Sequence, residues 1–288
     1  MIGTTVESEC KIGIVIPTYR RGEALIQCIQ SARTGSVLAF DVVVINDGGD
    51  PAVSDLLRQH CPNVIEITST CNLWWTKSVN LGLEYLIAHG YSAAILLNDD
   101  VTVAPGFVDN MVMTHRQNPE AIIISKIVDQ HDQIWALGGY TSWPFVGESL
   151  LFTSPSPSAT SYKITWSPGM GTLIPLLVVE SIGLLDDRAM PQYLSDADFG
   201  LRATRSGWKI ILNQDCVVRN DTRTTGGVSG KRRLHLRDLY FNFFDRRSAD
   251  YLRARVTFIY RHAPFGLRTV SVFIRIAKVL LYFIKRIV

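Results

Sequence analysis

The sequence predicts an α/β protein whose mostly parallel central sheet is flanked by helices and followed by a C-terminal helical extension. Apolar runs of strand length alternate with segments of helical period through the first 117 residues. The runs are apolar at nearly every position, as in parallel strands that are buried on both faces. The chain has 288 residues, of which 47% are hydrophobic and 19% charged, so it can bury one large core or two smaller ones.

The alternation has four repeats of one strand and one helix. In chain order, the predicted pairs are 11–17 with 22–34, 41–46 with 51–60, 63–68 with 75–89, and 92–98 with 105–117. From about residue 130 to 175 the pattern gives way to Gly, Pro, Ser and Trp, with short alternating runs that favour hairpins and loops. We therefore expect a regular first half and a less regular second half.

Charge divides the chain at about residue 230. Residues 231–288 carry 14 Lys and Arg against three Asp, a formal charge of +11, whereas residues 1–230 carry 15 basic and 23 acidic residues, a charge of −8. We interpret the two parts as a globular domain and a basic helical extension that has an anionic partner. The five Cys have no metal-site or disulfide spacing and no secretion signal begins the sequence, so we expect a cytoplasmic protein.

Polar residues follow the predicted strands, and ligands of parallel sheets bind beyond the carboxyl ends of strands. These polar ends are PTYR (17–20), NDGGD (46–50), STCN (69–72) and NDD (98–100). Neither G-x-G-x-x-G nor a P-loop motif occurs, so phosphate would have to be held differently. Asp99 and Asp100 could hold a divalent cation that neutralises a diphosphate. Alternatively, the Asn-Asp-Asp turn could cap the next helix.

At this point the sequence resembles the family-two nucleotide-sugar glycosyltransferases, whose fold is called GT-A. The resemblance covers about residues 10–220 and depends on the order of several segments. They are IVIPTYR, VVINDGGD, NLWWTKSVNLGLEYL, LLNDDV, PGMGTLIP and IGLLDDRAMPQYLSDADFGLRATRSGWKI. The resemblance implies sugar transfer from a nucleoside diphosphate donor, with inversion at the anomeric carbon and usually Mg or Mn as cofactor. Within the family the sequence is most similar to bacterial rhamnosyltransferase-like enzymes that build cell-surface polysaccharides.

The resemblance also implies roles for individual residues. The donor-side residues would be Pro17, Thr18, Tyr19, Asp47, Lys77, Asn80, Asn98 and Asp99. Asp47 would accept a hydrogen bond from the base, Asp99 would approach the ribose, and Asp100 would ligate the metal. Asp47 could instead be a turn residue before two glycines, and Lys77 could be solvated beside core tryptophans.

A second carboxylate cluster lies in LSDADFGLR (194–202). Inverting transfer needs a base that takes the acceptor hydroxyl proton, and a carboxylate can serve. Asp196 is the candidate because it matches the first Asp of the family's Glu-Asp-x-Asp motif and lies near a predicted helix start, where the helix dipole favours its ionised form. Asp198 is the second candidate, and simple helix capping is the alternative for both.

Three positions depart from the family pattern. Ser195 replaces an acidic residue, Arg20 stands where Asn commonly follows PTY, and Asn220 occupies roughly the place of a histidine after the last strand. Metal coordination would then depend on Asp100, the diphosphate and water, which suits magnesium. We expect the glycine-containing loop 166–175 to line the acceptor side.

The C-terminal segment 264–288 has the pattern of a basic amphipathic helix. Its longest apolar run is too short to span a bilayer, and its five basic residues fall in one sector at 100° per residue. We expect this helix to lie on an anionic membrane surface, at the inner face of the cell membrane, although packing on the body is an alternative. The acceptor would then be a glycan or a lipid-linked sugar.

Two other function classes remain open at the level of sequence. The segment KRRLHLR (231–237) and nearby aromatic residues could bind nucleic acid, but nucleic acid is the less favoured partner because it leaves the acidic strand ends unexplained. An inactive protein that binds a nucleotide sugar would carry the same donor-side residues.

Overall fold

A computed structural model describes residues 11–145, 147–152, 164–221 and 235–286. In chain order the elements are β1 (Ile12–Thr18), α1 (Gly22–Arg33), β2 (Asp41–Asn46), α2 (Pro51–His60), β3 (Ile65–Thr68), α3 (Trp74–Ala88), β4 (Ala93–Leu96), β5 (Val101–Val103), α4 (Phe107–Gln117), β6 (Ala121–Val128), β7 (Ile134–Ala136), β8 (Gly139–Ser142), β9 (Gly147–Leu150), β10 (Thr172–Pro175), α5 (Leu176–Ile182), α6 (Ser195–Arg205), β11 (Lys209–Asn220), α7 (Leu236–Phe244), α8 (Leu252–His262) and α9 (Arg268–Ile284). The four predicted strand–helix repeats are confirmed as β1 to α4.

The central sheet has the order β3-β2-β1-β4-β10-β6-β11-β5, and β7 pairs with β6. β1 pairs in parallel with β2 and β4, β2 pairs in parallel with β3, and β6 pairs in parallel with β11. β10 runs antiparallel between β4 and β6, while β5 and β7 are antiparallel edge strands. The predicted α/β class with a mostly parallel sheet is therefore confirmed.

The strands of the first half are buried because both faces of the sheet are covered. All seven residues of β1 are buried, and its side chains divide between two apolar clusters, with Ile14 and Ile16 in one and Val15 in the other. The helices begin where the local sequence favours it. In α2, Pro51 occupies the first turn and the Asp50 side chain accepts a hydrogen bond from the Ala52 N–H at 3.0 Å.

The second half places a small hairpin and a helix beside the sheet. β8 and β9 form a separate two-stranded antiparallel sheet, as the loop-rich sequence predicts. β11 enters the main sheet with a register shift between Asn213 and Val217, and its last residues pair with β5. This pairing brings Asn220 opposite Val101, directly after the predicted Asp-Asp pair.

The C-terminal helices pack on the domain that precedes them. Phe258 of α8 is fully buried in a cluster with Ala197 and Leu201 of α6, and Arg205 donates hydrogen bonds to the Arg261 and His262 carbonyls. A division of the chain at residue 230 stays a prediction. In the described part of the chain, no helix combines the length and hydrophobicity needed to cross a membrane.

Candidate active site

Two adjoining cavities lie at the carboxyl ends of β1, β2 and β4, with volumes of about 750 and about 450 Å³. The residues that line both are Pro17, Arg21, Trp75, Asp99, Gln192 and Tyr193. Of the predicted residues, Thr18, Tyr19 and Asp47 line the larger cavity, while Asn98, Asp100 and Asp196 line the smaller one. The fold thus brings both predicted carboxylate clusters to the smaller cavity, and Asp99 also lines the larger one.

The Asp99–Asp100 pair is held by groups from β1 and the turn after it. Thr18 Oγ1 donates to Asp99 Oδ2 at 2.8 Å, and Arg21 Nη1 lies 3.3 Å from Asp99 Oδ1 and 2.5 Å from Asp100 Oδ2. Burial raises the pKa of Asp99 to about 6, although Arg21 and Thr18 oppose the shift. The negative charge that Asp99 and Asp100 present to the cavities is therefore partly neutralised by Arg21 and by the raised pKa of Asp99.

Asp47 orders the backbone that follows β3. Its Oδ1 accepts the Leu73 N–H at 2.6 Å and its Oδ2 accepts the Trp74 N–H at 3.1 Å. Gly48 and Gly49 continue the chain with φ of +83° and +63°, which glycine tolerates best. Asp47 is thus a turn-ordering residue that also lines the larger cavity, and each of its oxygens keeps a further lone pair for a ligand.

The segment 72–82 contributes one tryptophan to the lining of both cavities. Trp75 lines both cavities, and its Nε1–H donates to Asn98 Oδ1 at 2.9 Å. Asn80 is buried and exchanges hydrogen bonds with the Leu185 backbone at 2.9 and 3.1 Å, so its amide has a structural function away from the cavities. Lys77 is exposed on α3 and lines neither cavity.

These contacts bear on two interpretations of the sequence. Both ends of the Asn80 amide bond the Leu185 backbone and Asn80 lines neither cavity, so its position beside a diphosphate stays a prediction. Trp75 is not simply a core residue because its indole forms part of the shared lining.

Asp196 faces the smaller cavity from the first turn of α6. Its Oδ2 accepts the Gly169 N–H at 3.1 Å and its Oδ1 accepts the Ala197 N–H at 2.8 Å. Burial raises the pKa of this carboxyl, the two backbone N–H groups oppose the rise, and nearby Glu148 adds to it. A carboxylate with a raised pKa in a cavity has the character of a general base.

Asp198 has a different environment from Asp196. It is fully buried and accepts hydrogen bonds from Arg202 Nε at 2.9 Å, Arg261 Nη1 at 2.7 Å and His262 Nε2 at 2.8 Å. Burial alone would raise the pKa of Asp198, but these three donors lower it to about 2. Because burial lowers the pKa of His262, we infer that the imidazole is neutral at pH 7 and donates its Nε2–H. Asp198 lines neither cavity.

The residues around Asp100 fit a cation that keeps substrate and water ligands. Asn220 lines the same cavity, and its buried Nδ2 has no hydrogen-bond partner among the described residues. Rotation of that amide would present its oxygen, so Asp100 and Asn220 together offer two hard oxygen donors. Within the described ranges no group of three His, Cys, Asp or Glu could form a metal site made of protein ligands alone.

Of the four non-glycine residues with positive φ in the described part of the chain, three lie at the two cavities and the fourth, Asp132, lies elsewhere. Arg20, Trp74 and Leu194 have φ of +59°, +66° and +74°, in the left-handed region that non-glycine residues rarely adopt. Trp74 lines the larger cavity, Leu194 lines the smaller one, and Arg20 lies between two lining residues. Strain of about 1–3 kcal/mol per residue persists where the surroundings enforce it, and it is commonest at ligand sites.

Several lining residues were not identified from the sequence. Arg21, Gln192 and Tyr193 line both cavities. The C-terminal extension contributes Arg246 to the larger cavity and Arg255 to the smaller one, where Arg255 forms an ion pair with Glu148. The sequence held one signal for the contribution of Arg246 and Arg255. Residues 231–288 carry a charge of +11, which the acidic strand ends could attract.

Comparison with known proteins gives a family match and several relatives. The profile of the family described as "Glycosyl transferase family 2" matches residues 13–159. An uncharacterised protein of Mycobacterium tuberculosis (strain H37Rv) is 25% identical over 174 residues, which cover 57% of this chain and 60% of the relative. Glucosyl-dolichyl phosphate glucuronosyltransferase of Haloferax volcanii is 22% identical over 125 residues, which cover 41% of this chain and 38% of that protein.

Two solved structures share the architecture. The crystal structure of GalNAc-T7 with UDP, GalNAc and Mn2+ has a TM-score of 0.62 and 15% identity, and the match covers 93% of this chain and 54% of that one. The crystal structure of S. aureus TarS, residues 1–349, has a TM-score of 0.55 and 13% identity over 96% of this chain and 71% of that one. The fold is therefore of the expected GT-A type. The chain spans about 60% or less of the length of the two relatives described above.

Proposed function

The chain belongs to glycosyl transferase family 2, and from that premise we propose that it transfers a sugar from a nucleoside diphosphate sugar to a hydroxyl of a glycan or lipid-linked acceptor. One observation carries the proposal: Asp99, Asp100 and Asp196 all line the smaller cavity, which shares part of its wall with the larger one. The reaction needs one group that stabilises a leaving diphosphate and another that accepts a proton, and these two clusters supply both chemistries.

We assign the donor nucleotide to the larger cavity. Its aromatic side chains Tyr19 and Trp74 offer apolar surface for a base, and Asp47 offers carboxylate oxygens for base N–H groups. Arg21 and Arg246 offer guanidinium donors for phosphate. In the described part of the chain Arg246 forms no ion pair, whereas its neighbour Arg247 binds Asp245 at 2.8 Å.

We assign the chemical step to the smaller cavity. Asp196 accepts the proton of the acceptor hydroxyl while that oxygen forms a bond to the anomeric carbon. The bond from the anomeric carbon to the diphosphate breaks, and its electron pair leaves with the nucleoside diphosphate. A single displacement of this kind inverts the anomeric configuration, and the raised pKa of Asp196 makes the proton transfer more favourable than for an ordinary Asp.

A divalent cation, Mg or Mn, would be held by Asp100 and Asn220 and would neutralise the charge of the leaving diphosphate. Arg21 already contacts Asp100, so this guanidinium shares the task of balancing charge at the site. Phosphate oxygens of the donor and water would supply the other ligands of the cation. Mg²⁺ prefers such ligands in sites with few carboxylates.

We propose hexosyl or deoxyhexosyl transfer in polysaccharide biosynthesis, in keeping with the resemblance to rhamnosyltransferase-like enzymes. We also propose that the protein is peripheral on the inner, cytoplasmic face of the cell membrane, with residues 264–288 on an anionic surface. These two assignments concern the transferred sugar and the membrane partner. The roles proposed for the residues of the two cavities do not depend on either of them.

The test is a panel of nucleoside diphosphate sugars, each offered with Mg²⁺, with Mn²⁺ and with chelator. Thermal shift reports donor binding and release of nucleoside diphosphate reports turnover. We expect at least one donor to bind and to be hydrolysed slowly without an acceptor. Binding without turnover in any condition, even with candidate acceptors, would favour an inactive nucleotide-sugar binder, and absence of binding would overturn the proposal.

Nucleic-acid binding has less support. It gives no role to the carboxylates Asp99, Asp100 and Asp196 that line the smaller cavity. Residues 231–234 of KRRLHLR lie outside the described residues, and of the nearby aromatic side chains Phe243 packs against α9 while Tyr240 and Phe244 are exposed. Binding of oligonucleotides at physiological salt, without any effect of nucleotide sugars, would reverse this preference.

A further inference from the structure

The last helix, α9, packs on the protein with a small part of its surface. Its buried residues are Ser271, Val279 and Phe283, and the last two form a cluster with Leu239 and Phe243 of α7. The remainder of the helix is exposed or half-buried. The side that meets the body is therefore fixed by this contact.

Two basic residues of α9 contact the body of the protein, and two others form local hydrogen bonds. Arg275 Nε donates to Asp250 Oδ1 at 2.8 Å, and Lys278 donates to the Phe145 carbonyl. Arg268 Nε donates to the Ala263 carbonyl at 3.3 Å, and Arg286 Nη1 donates to Tyr282 Oη at 2.7 Å. Of the five basic residues predicted to face an anionic surface, Arg275 and Lys278 are thus directed to the body instead.

The outward face of α9 is apolar. Phe273 is 67% exposed, Leu281 55% and Ile284 66%, and Phe265 just before the helix is 87% exposed. Val270, Ala277 and Leu280 are exposed between them, at the three- and four-residue spacing that places side chains on one helix face. A contiguous apolar stripe of this kind on a surface marks an interaction site. We call these residues the α9 stripe.

We propose that the α9 stripe inserts into the acyl region of an anionic lipid bilayer, so that apolar burial, more than the basic sector, attaches the protein. The choice of a bilayer over a second copy of the chain comes from charge. Residues 251–288 contain eight Lys and Arg and no Asp or Glu, and the partners of Arg268 and Lys278 are neutral carbonyls that leave their positive charge uncompensated. Two α9 helices packed through the stripe would therefore bring like charges close together, whereas an anionic surface would be attracted. Anionic head groups complement Lys285 and the other cations that border the stripe.

The attachment would bring the lipid close to the candidate active site. Ala249 lines the smaller cavity, and the adjacent Asp250 is the partner of Arg275 on the inner side of α9. A bilayer at the α9 stripe would therefore lie about one helix diameter, roughly 10–12 Å, from residues that adjoin the smaller cavity. The inference deepens the membrane partner proposed above and rests on that proposal for the identity of the acceptor.

The test is flotation of the full chain with vesicles of phosphatidylcholine alone or mixed with phosphatidylglycerol, at low and high salt. The double variant Phe273→Ser/Leu281→Ser removes stripe residues that are exposed and do not support the fold. We expect it to lower vesicle partitioning by about tenfold or more per side chain, because each loses the transfer of a large apolar group. Leu177→Ser, at an apolar residue 62% exposed on α5, is the matched control and should bind like wild type.

The outcomes separate the alternatives. High salt should weaken wild-type binding less than the double substitution does, whereas loss of binding at high salt with no effect of the substitution would assign attachment to the basic residues and overturn the proposal. Failure of wild type to float would also overturn it. Concentration-dependent dimers that the double variant abolishes, measured by sedimentation velocity without lipid, would assign the stripe to a second copy. Donor binding followed by thermal shift in the same variants keeps this result separate from a failure of the proposed transferase activity.

Discussion

Replacement of Asp198 by Asn should destabilise the fold, because Asp198 is a structural anion buried between α6 and α8. The carboxylate is fully buried and accepts hydrogen bonds from Arg202, Arg261 and His262. Asn keeps the shape but removes the charge that two guanidinium groups require. Breaking a buried pair in this way costs about 3–5 kcal/mol. At about 2 °C per kcal/mol for a chain of this size, the melting temperature should fall by roughly 6–10 °C.

The pH dependence has a defined direction. The folded pKa of Asp198 is lowered to about 2, below the value of about 3.9 for an unfolded Asp. A lowered pKa stabilises the folded state above the unfolded pKa, and that contribution, of order 2–3 kcal/mol, is lost as pH falls from about 4 toward 2. The gap in melting temperature between wild type and Asp198→Asn should therefore be widest near neutral pH and should narrow below about pH 4.

Thermal melts from pH 7 to pH 3 measure this effect. Asp55→Asn is the matched control, because Asp55 forms an ion pair with Arg58 in which both side chains are largely exposed, and such pairs contribute at most about 1 kcal/mol. An Asp198→Asn protein that melts with wild type but has lost turnover would refute the structural assignment. It would make Asp198 the base in place of Asp196.

Three further predictions concern the candidate active site. Turnover of wild type at saturating donor should fall as pH decreases through the pKa of Asp196, which burial places above the usual Asp range, and a pH-independent rate would contradict its role as base. Asp100→Asn should melt like wild type in the absence of ligand but transfer sugar about 10²–10³-fold more slowly. Mn²⁺ with nucleoside diphosphate should also raise its melting temperature less than that of wild type. Unchanged turnover of wild type in chelator would exclude the metal role. Arg246→Ala should raise KM for the donor by about tenfold with a smaller effect on kcat, whereas Arg253→Ala, at an exposed arginine of α8 that lines neither cavity, should leave both constants unchanged.

The regular part of the fold could be predicted because its signal is local. Strand-length apolar runs and helical periods defined β1 to α4, and β2 and α2 have the predicted bounds. β5 was not predicted, since its three residues, Val101–Val103, are too few to show a period. The antiparallel direction of β10 was also not visible, because strand direction depends on pairing with β4 and β6 far along the chain.

The cavity-lining carboxylates could be predicted because each lies at the end of a strand or the start of a helix. Asp99, Asp100 and Asp196 line the cavities because strand and helix ends bring them there. The structural contact of Asn80 was not predicted, because its partner Leu185 lies 105 positions away in the sequence and no local pattern indicates the contact.

Arg21 was missed for a similar reason. Arg20 and Arg21 are adjacent residues of the same type, so the sequence does not show which of them contacts the carboxylates. The backbone conformation at Arg20 directs Arg21 to Asp99 and Asp100. The orientation of α9 could not be predicted either. The helical period shows which residues share a face, but it does not show which face packs on the body.

If Asp196 is the base of a nucleotide-sugar transferase, its carboxylate should be needed for turnover but not for donor binding. Release of nucleoside diphosphate would be followed for wild type and Asp196→Asn at saturating concentrations of the donor identified by the panel, with donor affinity measured by titration. We predict that the variant binds the donor within about twofold of wild type and turns over about 10²–10⁴-fold more slowly, since the base acts in the transition state. Equal turnover of the two proteins, or loss of donor affinity in proportion to turnover, would contradict the account.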